Sequence, residues 1–154
     1  MMINVLFVCL GNICRSPMAE VILRDSVLKE GLADQISVDS AATSSWHIGK
    51  RPHEGTLAKL KEFAISSEGM AGRQLEKEDF EKFDYIIGMD DSNIDNIRKM
   101  LGEPDHPKIF RFLDLTEHKK DLPDPYYTGD FEETYELVTE GCNALLEKIK
   151  QEKI

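Results

Sequence analysis

The sequence predicts an α/β fold: three layers, α/β/α, around a four-stranded parallel sheet. Three observations predict it. Short β-rich apolar runs at 3–8, 35–38, 85–89 and 109–113 alternate with segments of helical periodicity, and strands separated by helices form parallel sheets with right-handed crossovers. The first run, Ile3 to Val8, lacks strict alternation, as expected of a strand buried on both faces. A glycine-containing loop joins that run to the first helical segment. Strand order 2-1-3-4 places this loop at a topological switch point, where open α/β sheets bind ligands. Residues 1–154 fit one domain, long enough for a sizeable core.

Composition is that of a globular chain, 41% hydrophobic and 31% charged. No stretch approaches the length of a membrane span, and Met1 to Leu10 carries no positive n-region or cleavage site of the signal-peptide type. Three cysteines, two of them in the loop, make no disulfide framework, so a reducing compartment is expected. A net charge of −10 argues against nucleic acid, where a basic face supplies most of the affinity. It also disfavours anionic substrates at long range. The expectation is a cytoplasmic monomer or weak dimer with neither nucleic acid nor membrane as partner.

The loop reads Cys9-Leu10-Gly11-Asn12-Ile13-Cys14-Arg15-Ser16-Pro17. Cys9 falls at the C-terminal end of the strand, Ser16 is a natural N-cap, and Pro17 suits the first helical position. A strand-to-helix loop turns successive N–H groups inward, and the helix N-terminus adds the positive end of its dipole, so residues 10–14 form a cradle for a phosphate-sized dianion. Gly11 allows the sharp turn this requires. Thiols in such a field have pKa values lowered to about 3.5–7.5, so Cys9 is expected as a thiolate nucleophile. Arg15 offers a planar, permanent cation for two phosphoryl oxygens. The Ser16 hydroxyl is placed to hydrogen-bond the thiolate and the Asn12 side chain to brace the loop.

Further along, Met18, Val21, Ile22 and Leu28 recur at helical spacing with Gly31 as the stop. A strand at 35–38 leads into a long polar loop, Asp39 to His53, holding the one tryptophan, Trp46. Burial habit alone places Trp46 at the edge of the core. His47 and His53 read as polar loop residues, since no cysteine or carboxylate falls at metal-site spacing nearby. Leu57, Leu60 and Phe63 outline a second helix, and Phe80 and Phe83 a short one. The strand Tyr85–Met89 ends at Asp90-Asp91, either of which can cap a helix carrying Ile94, Ile97 and Leu101 before Gly102 and Pro104. Ile109 to Leu113 is the fourth strand. The loop from Asp114 to Asp130 contains Asp121-Leu122-Pro123-Asp124-Pro125-Tyr126-Tyr127, by turn chemistry a stiff surface turn. A thiolate attacking a phosphate ester must expel the ester oxygen, and protonating that oxygen is a task for a general acid. Asp124, Asp121 and Asp114 are the loop's candidates. Asp130 with Glu133 opens a final helix, whose apolar face is Phe131, Tyr135, Val138, Cys142, Leu145 and Ile149.

The string Cys-x-Gly-Asn-x-Cys-Arg-Ser-Pro in this context resembles the low-molecular-weight protein tyrosine phosphatases. Arg73-Gln74-Leu75, the Met89-Asp90 pair and Asp124-Pro125-Tyr126-Tyr127 extend the resemblance along nearly the whole chain. It implies hydrolysis of phosphotyrosine in proteins through a cysteinyl-phosphate on Cys9, with Arg15 as phosphate clamp, Asp124 as general acid and base, and neither metal nor cofactor. It places Trp46 on one wall of the cleft and Tyr126 and Tyr127 on the other, bonds Ser40 to Asn12, and sets Asp90 behind the cradle. It also suggests a reversible Cys9–Cys14 disulfide, against the simpler reading of Cys14 as a space-filling side chain. Two positions depart from the pattern: His53 stands where many members have aspartate, and Met70 or Gly69 where many have a histidine supporting the cradle serine.

Three rivals are weighed against this. Phosphoarginine phosphatases of this type carry threonine before the second cradle cysteine, whereas Ile13 is apolar and suits an aromatic ring. Arsenate reductases need a relay of further cysteines near the site, and only Cys142 remains, on the distant final helix. A non-catalytic phosphate-binding module would lack nucleophile, arginine or acid, and all three residue types are present.

Overall fold

The computed structural model describes residues 2–102 and 105–154. Strands β1 (Ile3–Cys9), β2 (Ile36–Ala42), β3 (Tyr85–Gly88) and β4 (Ile109–Arg111) form one parallel sheet in the order β2-β1-β3-β4. The order is as expected. In the β1–β2 pair Ile3 lies opposite Ile36 and Cys9 opposite Ala42, and on the other side Val8 lies opposite Gly88.

Strand alternation sends the odd and even residues of β1 to different cores. Val5, Phe7 and Cys9 face α1 (Arg15–Lys29), α2 (Glu54–Glu62) and the long α6 (Phe131–Lys153), joining Met18, Leu23, Leu60, Phe112, Val138, Leu145 and Ile149. Leu6 and Val8 face α4 (Asp91–Leu101), with Ile94, Ile97 and Leu101. Two cores on one sheet make the three layers. Short helices α3 (Asp79–Lys82) and α5 (Pro125–Thr128) complete the set.

Several boundaries differ from expectation for local reasons. The first helix begins at Arg15, with Cys14 rather than Ser16 at the cap and no side-chain cap bond. Ser16 and Pro17 therefore sit inside the first turn, where the missing proline N–H is equally harmless. Leu28, expected on the buried face, is 66% exposed, and Ala19, Leu23 and Val27 fill the stripe instead. Strand β2 runs on to Ala42, which takes Asp39 and Ser40 out of the loop and into the sheet. Strand β4 stops at Arg111, and Phe112–Leu115 close a single 3-10 turn that buries Phe112 against Phe7, ring centroids 5.3 Å apart. The α4 N-cap is Asp90, its carboxylate accepting the Asn93 N–H at 2.7 Å, and Gly102 ends the helix in the left-handed region. The stop expected at Pro104 lies outside the described residues. At α6, Asp130 accepts the Glu133 N–H at 2.9 Å.

Candidate active site

The loop between β1 and α1 is shaped by where its carbonyls go. Cys9 O accepts the Thr43 N–H, Leu10 O the N–H and hydroxyl of Ser44, Ile13 O the His53 N–H at 2.7 Å, and Cys14 O the Thr56 hydroxyl. With these carbonyls tied outward, the N–H groups are left to the inner side. Among the described residues those of Gly11, Ile13, Cys14 and Arg15 have no protein acceptor. This is an anion nest at a helix N-terminus. The left-handed residue that makes the turn is Asn12, at φ 56°, not Gly11. At Gly11 the space is tight: a Cβ there would lie 3.0 Å from the His47 ring, which would have to give way by a few tenths of an ångström.

Cys9 Sγ lies at the base of the nest, buried, accepting the Asn12 N–H at 3.2 Å and lying 3.0 Å from the Ser16 hydroxyl. The Asn12 amide holds the shape: its Nδ2 donates to Ser16 at 2.8 Å and to Ser40 at 2.9 Å, and its Oδ1 accepts the Arg73 N–H. Such bonds let an asparagine keep a left-handed backbone that its Cβ disfavours. Ser40 in turn donates to Glu20, a carboxylate buried near the first turn of α1 and paired with Arg24. Ser16 is thus supported from Asn12, and Met70, partly buried, lines a small pocket beyond it with Asn12, Glu20 and Ser40.

Arg15 is 2% exposed. Its Nη1 donates to Asp90 at 2.9 Å and to the Leu122 carbonyl at 2.8 Å, and its Nη2 lies 3.4 Å from Asp124 Oδ2. Burial alone pulls the Arg15 pKa down, but the charges of Cys9, Asp124 and Asp90 outweigh it and leave it raised. One edge of the guanidinium is pinned and the other is turned to the cleft. Asp90 does two tasks with two oxygens, Oδ1 capping α4 and Oδ2 holding Arg15. Asp124 is the N-cap of α5, its Oδ1 accepting the Tyr126 N–H at 3.0 Å. The expected surface turn is therefore a helix start, and it directs Oδ2 towards Arg15.

The cleft is lined by Cys9, Ile13, Arg15, Asp124, Trp46, His47, Tyr126 and Tyr127. Trp46 is 65% exposed and Tyr127 73%, and both line this cleft, so the tryptophan is not at the edge of the core as burial habit would place it. Cys14 is buried, and its thiol is pushed up to about 12, first by burial and then by the nearby Asp124 and Cys9 charges. His53 caps α2 by accepting the Gly55 N–H, stacks on Phe131 at 5.2 Å and meets the Tyr126 edge at 5.9 Å. Sequence reasoning missed His47 in the cleft, Glu20, and the contributions of Leu122 and Arg73. A buried acid at i+4 from the loop arginine's neighbour Ser16 was the available signal for Glu20; Leu122 acts through its backbone and left none.

A nest at the C-terminal end of an inner strand, a thiol beneath it and a pinned guanidinium beside a carboxylate make an α/β protein whose candidate site offers the donors an oxyanion needs. Residues 4–154 match the family model "Low molecular weight phosphotyrosine protein phosphatase". The chain is 53% identical over 154 residues to the low molecular weight protein-tyrosine-phosphatase YfkJ of Bacillus subtilis, covering 99% of each chain. It is 48% identical over 147 residues to PtpA of Staphylococcus saprophyticus, covering 94% of this chain and 92% of the relative. The crystal structure of YfkJ superposes with a TM-score of 0.97 at 52% identity, covering 100% of this chain and 98% of that one. The chain belongs to the low-molecular-weight protein-tyrosine-phosphatase family.

Proposed function

We propose that the chain, acting as one domain over residues 1–154, hydrolyses phosphotyrosine in proteins through a phosphorylated Cys9. The observation that carries this reading is the convergence of Cys9 Sγ, the Arg15 fork and Asp124 Oδ2 on one cleft. The phosphoryl oxygens sit against the free N–H groups of Gly11, Ile13, Cys14 and Arg15 and the cleft-facing edge of the Arg15 guanidinium. Cys9 Sγ attacks phosphorus from below. As the S–P bond forms, the bond from phosphorus to the phenolic oxygen breaks, and Asp124 gives that oxygen its proton. In the second step ionised Asp124 takes a proton from water as the water oxygen attacks phosphorus, and Cys9 Sγ leaves with the S–P electron pair. Charge on the equatorial oxygens is held throughout by donors already in place, so positioning and electrostatics supply most of the rate.

Ser16 and the Asn12 N–H stabilise negative charge on sulfur in both steps. Ser40 and Asp90 keep Asn12 and Arg15 aimed. Trp46, Tyr126 and Tyr127 form the aromatic walls that take the phenyl ring. Ile13 in the cleft wall favours that ring over a guanidino group. Phosphate specificity comes from this local cradle, since the net charge of −10 repels anions at a distance.

The test is steady-state hydrolysis of p-nitrophenyl phosphate, phosphotyrosine peptide and phosphoarginine in excess chelator. Wild type turns over the first two, Cys9→Ser is inactive, and Asp124→Asn loses about 10²–10⁴-fold on phosphotyrosine peptide and less on p-nitrophenyl phosphate, whose leaving group depends less on protonation. Binding of inorganic phosphate without turnover of any substrate would leave a binding module. Preference for phosphoarginine would overturn the substrate assignment.

Oxidation of Cys9 to the sulfenic acid followed by condensation with the Cys14 thiol, releasing water, gives a disulfide that a thiol reductant reopens. Activity lost to peroxide is then recovered with dithiothreitol in wild type and not in Cys14→Ser; equal recovery would remove Cys14 from this role. The three cysteines are free thiols, and a reducing cytoplasm suits them. Among the described residues no helix is long and apolar enough to cross a membrane. A monomer or weak dimer binding neither nucleic acid nor membrane fits the acidic charge, and light scattering of the purified chain measures its state.

A further inference from the structure

The loop that carries Asp124 is fastened at a second place, outside the cleft lining. Arg111, the last residue of β4, meets three carboxylates. Its Nη1 lies 3.2 Å from Asp91 Oδ1 and 3.1 Å from Asp121 Oδ1, and its Nε and Nη2 donate to Asp114 Oδ1 at 3.0 and 2.8 Å. Asp114 opens the segment leading to the acid and Asp121 closes it, so one planar guanidinium holds both ends. Asp121 Oδ1 also accepts the N–H of Asp91, the first residue of α4, at 2.9 Å. The next residue, buried Leu122, donates its N–H to Met89 O at 2.9 Å and accepts from Arg15 through its carbonyl. Asp124 follows two residues later.

We propose that Arg111 and Asp121 are positioning residues for the general acid. They lock the 114–121 segment to the start of α4, so that Asp124 reaches the leaving oxygen while Arg15 keeps the phosphoryl group. The proposal rests on the reading of Asp124 given above. The start of α4 is the shared reference point: Asp90 there holds Arg15, and the neighbouring Asp91 N–H holds Asp121. A single exposed ion pair contributes little. A rigid fork shared among three carboxylates, backed by a backbone N–H, fixes geometry in a way that one flexible ammonium does not. Asp121, one of the candidate acids on sequence grounds, thereby acquires a different task.

Misplacing Asp124 impairs departure of the phenol and leaves the anion nest as it is. The test therefore compares kcat/KM, which reports the first chemical step, for phenyl phosphate and for p-nitrophenyl phosphate, whose leaving group depends less on protonation. Arg111→Met and Asp121→Ala are expected to lower the phenyl phosphate value about tenfold and the p-nitrophenyl phosphate value about twofold or less. The inhibition constant of inorganic phosphate stays unchanged, and Asp121→Asn, which keeps an acceptor for the Asp91 N–H, recovers part of the loss. A smaller folded fraction lowers both substrates alike, so the ratio of the two does not respond to stability. Should Arg111→Met fail to fold, Arg111→Lys, which keeps the charge and loses the fork, is read in the same way. If Asp124→Asn shifts the ratio while the Arg111 and Asp121 variants leave it unchanged, the positioning role is overturned and the general acid stands. If Asp124→Asn leaves the ratio unchanged, the general-acid reading falls, and the positioning role with it.

Discussion

Cys9 and Cys14 are five positions apart in one loop and have different surroundings. Cys9 Sγ faces an N–H and a hydroxyl, whereas Cys14 is packed among groups that oppose a second negative charge. The Cys14 thiol is pushed up from 9.0 to about 12, and burial raises Cys142 and Tyr85 in the same direction. Between those values the unfolded chain releases protons that the folded chain retains. The stabilisation is therefore complete below about pH 9 and is lost as pH rises towards 12. Urea titrations from about pH 8 to about pH 11 should show stability falling by at most about 1.4 kcal/mol per pH unit for each such group. Cys14→Ala should flatten that slope, and an unaltered slope would show that Cys14 titrates alike in both states. At this scale the chemistry was legible, because a nucleophile, a fork and a carboxyl between prolines are unusual residue types in unusual places. Ser16 as cap and Gly11 as the turn were misplaced for one reason. The nest draws the helix start back to Arg15 and gives the left-handed position to Asn12, whose side chain is held on three sides.

Elements bring the walls of the cleft together, and here sequence periodicity was a weaker guide. The 43–53 wall is clamped by backbone bonds between Gly72 and the wall, Gly49 N–H to Gly72 O at 2.7 Å and Gly72 N–H to Lys50 O at 2.8 Å. A Cβ at Gly72 would lie 2.5 Å from the His47 carbonyl oxygen. Backbone there has no rotamer to yield, so Gly72→Ala must shift the wall that carries Trp46. The expected result is a KM for phosphotyrosine peptide raised roughly tenfold with kcat changed about threefold or less; an unchanged KM would detach this clamp from substrate binding. Nothing in the sequence near Gly72 announces the contact, since it joins segments far apart in the chain. The long loop after β2 and the Pro-Asp-Pro string were legible as loops. The one-turn helix that Asp124 caps was not, because four residues are too few to carry a periodic signal.

The whole molecule is a sheet whose two faces sort the odd and even residues of β1 into separate cores, with the candidate site at the end of that inner strand. This much followed from alternating β and helical runs, because burial on both faces leaves parallel strands apolar throughout. What could not be read was the set of long-range bonds that aim the site, such as Arg15 to Leu122 O, 107 positions apart. Backbone acceptors carry no residue-type signature. Transfer of the phosphoryl group through Cys9 is read by rapid denaturing quench of the enzyme mixed with p-nitrophenyl phosphate, followed by mass spectrometry of the intact chain and its peptides. One added phosphoryl group per chain is expected during turnover, located on the peptide carrying Cys9 and absent in Cys9→Ser. Turnover with no phosphorylated chain, or with the phosphoryl group on another residue, would contradict transfer through Cys9.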